Sequence, residues 1–248
     1  MMSPVPAALV SCGTEDEKNL ITVAWTGIIN SQPPMTYISV RKSRFSHHII
    51  EKTGEFVINL TTEDLARATD WCGVKSGRDF DKFKETGLTA GSCEEVGCPL
   101  VKEAPVNLEC VVKEIKEFPS HDMFIAEIVK VHVSENLFDE DGRIRLDGAG
   151  MLAYCHGEYF GLKKHPIGKF GFSVMKPKTR KRLEKQRREK AASGRHRKTR
   201  RGDGRENRSP EKSRKKSKTE RKPDSARDII AATECEYFLI LPPESRFM

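Results

Sequence analysis

Leu20-Ile21-Thr22-Val23-Ala24-Trp25 is a run of apolar and β-branched residues, and its reading decides the fold class: it is a strand. Runs of the same make-up lie on either side, at Ala7–Ser11, Thr36–Val40 and Phe56–Leu60. Gly13, Gly27, Asn30 and the pair Pro33-Pro34 separate them. Farther along, Leu108–Phe118 and Met123–Val133 read as long strands, Asp139–Gly142 as a turn, and Met151–Phe160 as a final strand. Helical signals are short. Ser43–Lys52 has Ser43 as an N-cap and Gly54 as a stop, Thr62–Cys72 is capped by Thr62 and ended by Gly73, and Asp79–Thr86 is closed by Gly87. Mostly short strands with a few helices in the connections predict a mainly β protein, a small barrel with helical decoration. A parallel βαβ fold fits worse, because few connections are long enough for a crossover helix.

Charge divides the 248 residues into three parts. Residues 1–176 hold 20 Lys and Arg against 25 Asp and Glu, net −5. Residues 177–228 hold 23 against 8, net +15, and residues 229–248 hold one against three, net −2. The overall +8 therefore describes neither half: an ordinary globular domain precedes a cationic extension. Lys178–Ala192 has strong helix formers but a single large apolar residue, Leu183, so such a helix has nothing to pack against a barrel. Ser193–Arg227 is rich in Gly, Ser and charge, and disorder is the expectation for a basic, low-complexity tail. The last stretch, 229–248, is a short apolar segment; within it Ile229–Leu241 is too short to cross a membrane and contains Glu234 and Glu236. Seven cysteines at irregular spacing, and a start at Ser3-Pro4-Val5-Pro6 without a charged and apolar leader, lead to the expectation of free thiols in the cytoplasm.

The chemistry concentrates at Ser39-Val40-Arg41-Lys42-Ser43-Arg44-Phe45-Ser46, where a strand ends and a helix begins. Free backbone N–H groups, a helix dipole, cations and hydroxyls are what a phosphate needs. A solvated capping turn has the same composition, so both readings stand at this point. The metal readings are weak. Cys93-x4-Cys98 lacks a second pair at finger spacing, and Asp139-Glu140-Asp141-Gly142 has Leu137 where a calcium loop needs its first ligand. Gly148-Ala149-Gly150 lacks the third glycine of a dinucleotide fingerprint, and Gly168-Lys169 is followed by Phe170, which excludes a P-loop.

Asn19-Leu20-Ile21-Thr22-Val23-Ala24-Trp25 resembles the flavin-contacting strand of the flavin reductase-like, FMN-binding split-barrel family. Further segments follow in family order: Pro33-Pro34, Tyr37–Arg41, Gly54–Leu60, Ser76–Phe83, His156–Phe160 and Gly168–Val174. Within the family the chain is most similar to the flavoredoxin-like branch. The resemblance spans about 170 residues, ends near Lys176, and says nothing of the tail. It implies a split barrel that dimerises, with one FMN per subunit near the partner chain. Carried over, Thr22, Val23, Ala24 and Trp25 face the flavin ring, Arg41, Ser43 and Ser46 hold its phosphate, and Asn30 is a further contact. Ser120-His121-Asp122 stands where related reductases have Gly-Asp-His; His121 is the candidate catalytic residue, placed to orient a carboxamide or help protonate reduced flavin.

Three functions are compatible with this reading. The first is an oxidoreductase that takes a hydride from NAD(P)H onto FMN and passes electrons to a redox partner or small-molecule acceptor. The second is an FMN electron carrier without nicotinamide use. The third places the biology in the tail, as a non-specific binder of nucleic acid or acidic surfaces.

Overall fold

The computed structural model describes residues 2–163, 166–168, 170–182, 185 and 227–229. The chain divides into two units, Met1–Lys164 with Asp224–Met248, and His165–Pro223. Most of the expected tail, and the segment after Ile229, lie outside the described residues. In the second unit the described residues comprise a 3-10 turn at Phe172–Val174 and helical backbone at 177–182 and 185.

Among the described residues the first unit holds thirteen strands: β1 Val5–Pro6, β2 Ala8–Cys12, β3 Asn19–Val23, β4 Thr26–Ser31, β5 Pro34–Arg41, β6 Glu55–Leu60, β7 Ala90–Gly91, β8 Leu100–Val101, β9 Val106–Glu117, β10 His121–Val133, β11 Leu152–Cys155, β12 Glu158–Gly161 and β13 Arg227–Ile229. Three helices interrupt them: α1 Phe45–Thr53, α2 Ala66–Val74 and α3 Lys82–Thr86. The main sheet runs β3-β2-β6-β9-β10-β5-β4, and every neighbouring pair is antiparallel. Its two outermost strands, β3 and β4, are consecutive in the chain and separated by Ala24 and Trp25 alone. The ends of the sheet therefore meet at that dipeptide, and the Ser39 N–H donates to the Trp25 carbonyl, which extends the β4–β5 ladder by one residue. This is the expected split barrel.

Strand alternation fills it. In β10 each second residue is buried, so Asp122, Phe124, Ala126 and Ile128 point one way and His121, Met123 and Ile125 the other. The interior holds Val10, Ile21, Ile38, Phe56, Leu108 and Phe124, and Ile49 and Ile50 of α1 pack into the same core. Leu9 and Leu20 point outward from β2 and β3 and meet Leu65, Cys72 and Phe83 under α2 and α3. A third cluster, Val57, Val96, Cys98 and Leu100, covers β6. The covering segment is pinned by Glu109, which is fully buried and accepts the N–H groups of Glu94, Glu95 and Val96 as well as pairing with His132. Burial pushes the Glu109 carboxyl up, but His132 and these donors outweigh it and hold its pKa below the usual range.

Several boundaries differ from expectation. Ser43 does not cap α1; Arg44 holds that position, without a side-chain cap, while Gly54 ends the helix with φ 69°. Thr62 precedes a 3-10 turn, Glu63–Leu65, before α2 begins, and α2 runs past Gly73 to Val74. Asp81 caps α3 by accepting from the Lys84 N–H, so that helix is shorter than Asp79–Thr86. The expected strand Met151–Phe160 is a hairpin, because His156 and Gly157 both have positive φ, 51° and 90°. β4 was masked in the sequence by Gly27 and Asn30, which read as separators. Arg227–Ile229 pairs antiparallel with Val131–Val133 of β10, so the chain returns to the sheet across the boundary expected between basic and apolar segments.

Candidate functional site

A cleft of about 390 Å³ opens where β3, the end of β5, the start of α1 and the segment after α2 come together. The β5–α1 connection supplies Arg41, Ser43, Arg44 and Ser46, β3 supplies Asn19 and Ile21, and Lys75, Ser76, Gly77 and Lys82 close the other side. Among the described residues its lining holds four cations and no carboxylate. The first turn of α1 contains no acidic residue. Asn19 Nδ2 donates to Ser46 Oγ at 2.8 Å, tying β3 to α1. Gly77 packs on that asparagine, and a Cβ at 77 would run into the Asn19 carboxamide. Lys75 Nζ lies 5.5 Å from the Phe80 ring centroid, and Phe80 meets Trp71 edge-on.

Lys82 is the least ordinary of the four cations. It is 4% exposed, and Nζ donates to the Cys72 carbonyl at 2.7 Å. Burial pulls its pKa down to about 8, with Arg44 adding to the effect. The thiols beside it give no counter-charge at neutral pH, since burial pushes Cys12 up to about 12 and Cys72 to about 11. A buried lysine facing a carboxylate-free cleft calls for an anion.

At the other end stand Trp25 and His121. Their rings are 4.6 Å apart and inclined by 31°, and Trp25 is 55% exposed. Arg41 lies directly opposite His121 in the β5–β10 register, so the cationic cleft and the aromatic pair meet at this residue. His121 Nδ1 is 2.9 Å from Ser120 Oγ. Burial and then Arg41 lower the His121 pKa, with Asp122 opposing, so the imidazole is predominantly neutral at pH 7.

The structure thus gathers Arg41, Ser43 and Ser46 in the cleft, and places His121, with Trp25 against its ring, opposite Arg41 on the next strand; neither ring is among the cleft residues. It places the Thr22 hydroxyl on the Thr69 carbonyl of α2 and Val23 in the barrel core, and neither is among the cleft residues. Ala24 is half-buried at the seam. Asn30 is not among the cleft residues; its Nδ2 donates to the carbonyls of Gln32 and Pro33 at the β4–β5 turn. Lys75 and Lys82 join the cleft, as do Arg44 and Asn19, which belong to the stretches Ser39–Ser46 and Asn19–Trp25 without an expected role of their own. Arg44, at the helix start, is exposed and lines the cleft. For Lys82 the sequence holds a faint signal, a lysine one residue from Phe83 in a helix too short to show its own periodicity.

An antiparallel barrel whose ends meet at one dipeptide, with a cationic cleft at a strand–helix junction, defines a split-barrel protein with a site suited to an anion. The chain belongs to the flavin reductase-like family: the Flavin reductase like domain model matches residues 1–163. It is similar to the flavoredoxin of Desulfovibrio vulgaris (Miyazaki F), with TM-score 0.65, 30% identity and coverage of 70% of this chain and 94% of that one. Likeness to the flavoredoxin of Methanosarcina acetivorans is close behind, with TM-score 0.64, 27% identity and coverage of 71% and 95%. An NADH-dependent FAD reductase of Streptomyces globisporus is 23% identical over 146 residues, 57% of this chain and 79% of that protein. The protein is therefore a flavoprotein with a split-barrel fold. Among the described residues no helix is long and apolar enough to cross a membrane.

Proposed function

We propose that the protein binds FMN and is an NAD(P)H oxidoreductase that passes electrons from the flavin to a redox partner or small-molecule acceptor. The carrying observation is the carboxylate-free cleft, with its buried Lys82, beside the Trp25–His121 pair. The donor set fits a terminal phosphate: Arg41, Arg44, Lys75 and Lys82 supply charge, and Ser43 and Ser46 supply hydroxyls. When bound, FMN supplies a ring that accepts a hydride and releases electrons. The chain's own part is to hold two rings in register and exclude water. Trp25 provides an aromatic face at the rim, and neutral His121 offers a nitrogen to a nicotinamide carboxamide. The exposed apolar side chains of Trp25, Ile28 and Ile29, at 55%, 59% and 48%, support a two-fold homodimer. Among the described residues six cysteines are free, which supports a cytoplasmic location.

The visible spectrum of the purified protein, before and after anaerobic NADH or NADPH, tests the reading. A bound flavin that bleaches with either nucleotide is the expected result. Protein that stays colourless after incubation with FMN would sink the assignment. Bound flavin inert to both nucleotides would favour the carrier reading, to which the flavoredoxin likeness lends support.

Arg41→Ala is expected to weaken FMN binding by about 1.5–3 kcal/mol, the worth of a charge-assisted contact. It should also raise the His121 pKa, because Arg41 is one of the groups that lowers it. Arg44→Ala should weaken binding less, since Arg41 alone stands opposite His121, where cleft and aromatic pair meet. Fluorescence titration of FMN into both variants measures the difference, and equal losses would show that Arg41 has no special place.

The segment 177–228, net +15, is proposed as a second and separate binding element, for polyanions.

A further inference from the structure

We propose that the buried pair His47–Asp122 is a positioning device that holds the His121 imidazole on the Trp25 indole. The inference rests on the reading of His121 as a nicotinamide contact, but its geometry stands apart from the cofactor. Asp122 begins the inward-facing series of β10, one residue after His121, and is 4% exposed. Neighbouring residues on a strand point to opposite faces. Whatever fixes Asp122 inward therefore fixes His121 outward. That fixing comes from α1: His47 Nε2 is 2.7 Å from Asp122 Oδ2, across 75 residues of chain, and His47 is itself 6% exposed.

Two further contacts lock the pair. The His47 ring meets Phe124, the next inward residue of β10, edge-on with centroids 5.2 Å apart. Lys42 Nζ lies 3.2 Å from Asp122 Oδ1, an ion pair without the alignment of a hydrogen bond, and 3.1 Å from Glu117. Burial pushes the Asp122 carboxyl up, and His47 and Lys42 together outweigh it, so Asp122 stays ionised and an acceptor for His47. By contrast, among the contacts described here His121 is steered only by Ser120 and Trp25 at the surface, with Arg41 opposite it. The strand end that carries His121 is thus located from below. The same first turn of α1 carries Ser46, so one helix sets both the phosphate end and the aromatic end of the site.

The test is the ring-current shift that Trp25 imposes on the His121 imidazole, read by NMR on the full chain with labelled histidine and assigned with His121→Gln. His47→Phe keeps the ring contact with Phe124 and removes the hydrogen bond; His47→Leu is the second apolar variant should the first not fold. His47→Gln retains a donor for Asp122. The upfield shift of His121 should fall by half or more in the apolar variants and persist in His47→Gln. Rates of flavin reduction by the active nucleotide should fall on the order of tenfold to hundredfold in the former, as for a misplaced reacting group. A folded apolar variant with an unchanged His121 signal would overturn the proposal. So would unfolding of both apolar variants, which would assign the pair to the fold instead. Inertness of the parent to NADH and NADPH would remove the reductase reading and leave the NMR result standing.

Discussion

Flavin affinity is expected to fall about tenfold for each pH unit above 8, with Lys82 as the group responsible. Lys82 is buried in the cleft, donates to one carbonyl, and has its pKa drawn down to about 8 by burial. A phosphate beside it favours the ammonium form, so its pKa in the complex lies above its pKa in the free protein. The sign follows. Below pH 8 the free protein already carries the proton, and affinity is flat. Between about 8 and the higher value in the complex, binding must take up one proton, which costs one decade of affinity per pH unit. Cys12 and Cys72 do not interfere, because both thiols titrate well above this window. Titrations of FMN from pH 7 to 9.5, repeated in buffers of different ionisation enthalpy, measure both the slope and the proton. Lys82→Met should weaken binding at pH 7 by about 1.5–3 kcal/mol and flatten the profile. An unchanged slope in that variant would mean another group takes up the proton.

Binding of the full chain to nucleic acid should collapse with salt, by about 10³–10⁵-fold between 50 and 200 mM for ~6–10 neutralised phosphates. Residues 177–228 carry 23 Lys and Arg and no aromatic residue. Contacts would therefore go to phosphates, without base stacking, and each would release counterions. A chain ending at Lys176 should lose this binding while keeping its yellow colour and its dimer in light scattering. Loss of FMN on truncation would mean that the chain beyond 176 supports the barrel, for which Arg227–Ile229 on β10 offers a physical route. Full-length protein that ignores nucleic acid at low salt would leave the cationic segment without this role.

What the sequence carried was periodicity and order. β2, β3, β5, β6, β9 and β10 each show as apolar runs because each buries at least one face of a closed sheet. β4 did not show, since its burial is low and its Gly27 and Asn30 imitate loop residues. The β11–β12 hairpin was hidden because its turn uses His156 ahead of Gly157, and a histidine at positive φ is not a common signal. Within the site, Arg41, Ser43 and Ser46 were legible as neighbours in sequence. Lys82 and Asn19 were not, because burial in a cleft is a product of α2 and α3 folding over β3, which no local pattern encodes. The His47–Asp122 pair joins residues 75 positions apart and leaves no local trace at all.

The seam at Ala24 and Trp25 has a consequence for how such a protein tolerates change. β3 stops at Val23 and β4 starts at Thr26, so the wall of the barrel is continuous there through covalent bonds, with Trp25 handing its carbonyl to Ser39. Thr22 and Val23 turn their side chains away, toward α2 and the core. A heterocycle lying along this line would be read by main-chain groups, which every residue type supplies alike. Recognition written in the backbone drifts slowly when side chains are exchanged. A wall that met a ring in this way could then survive extensive substitution, provided the strand still breaks at the same two residues.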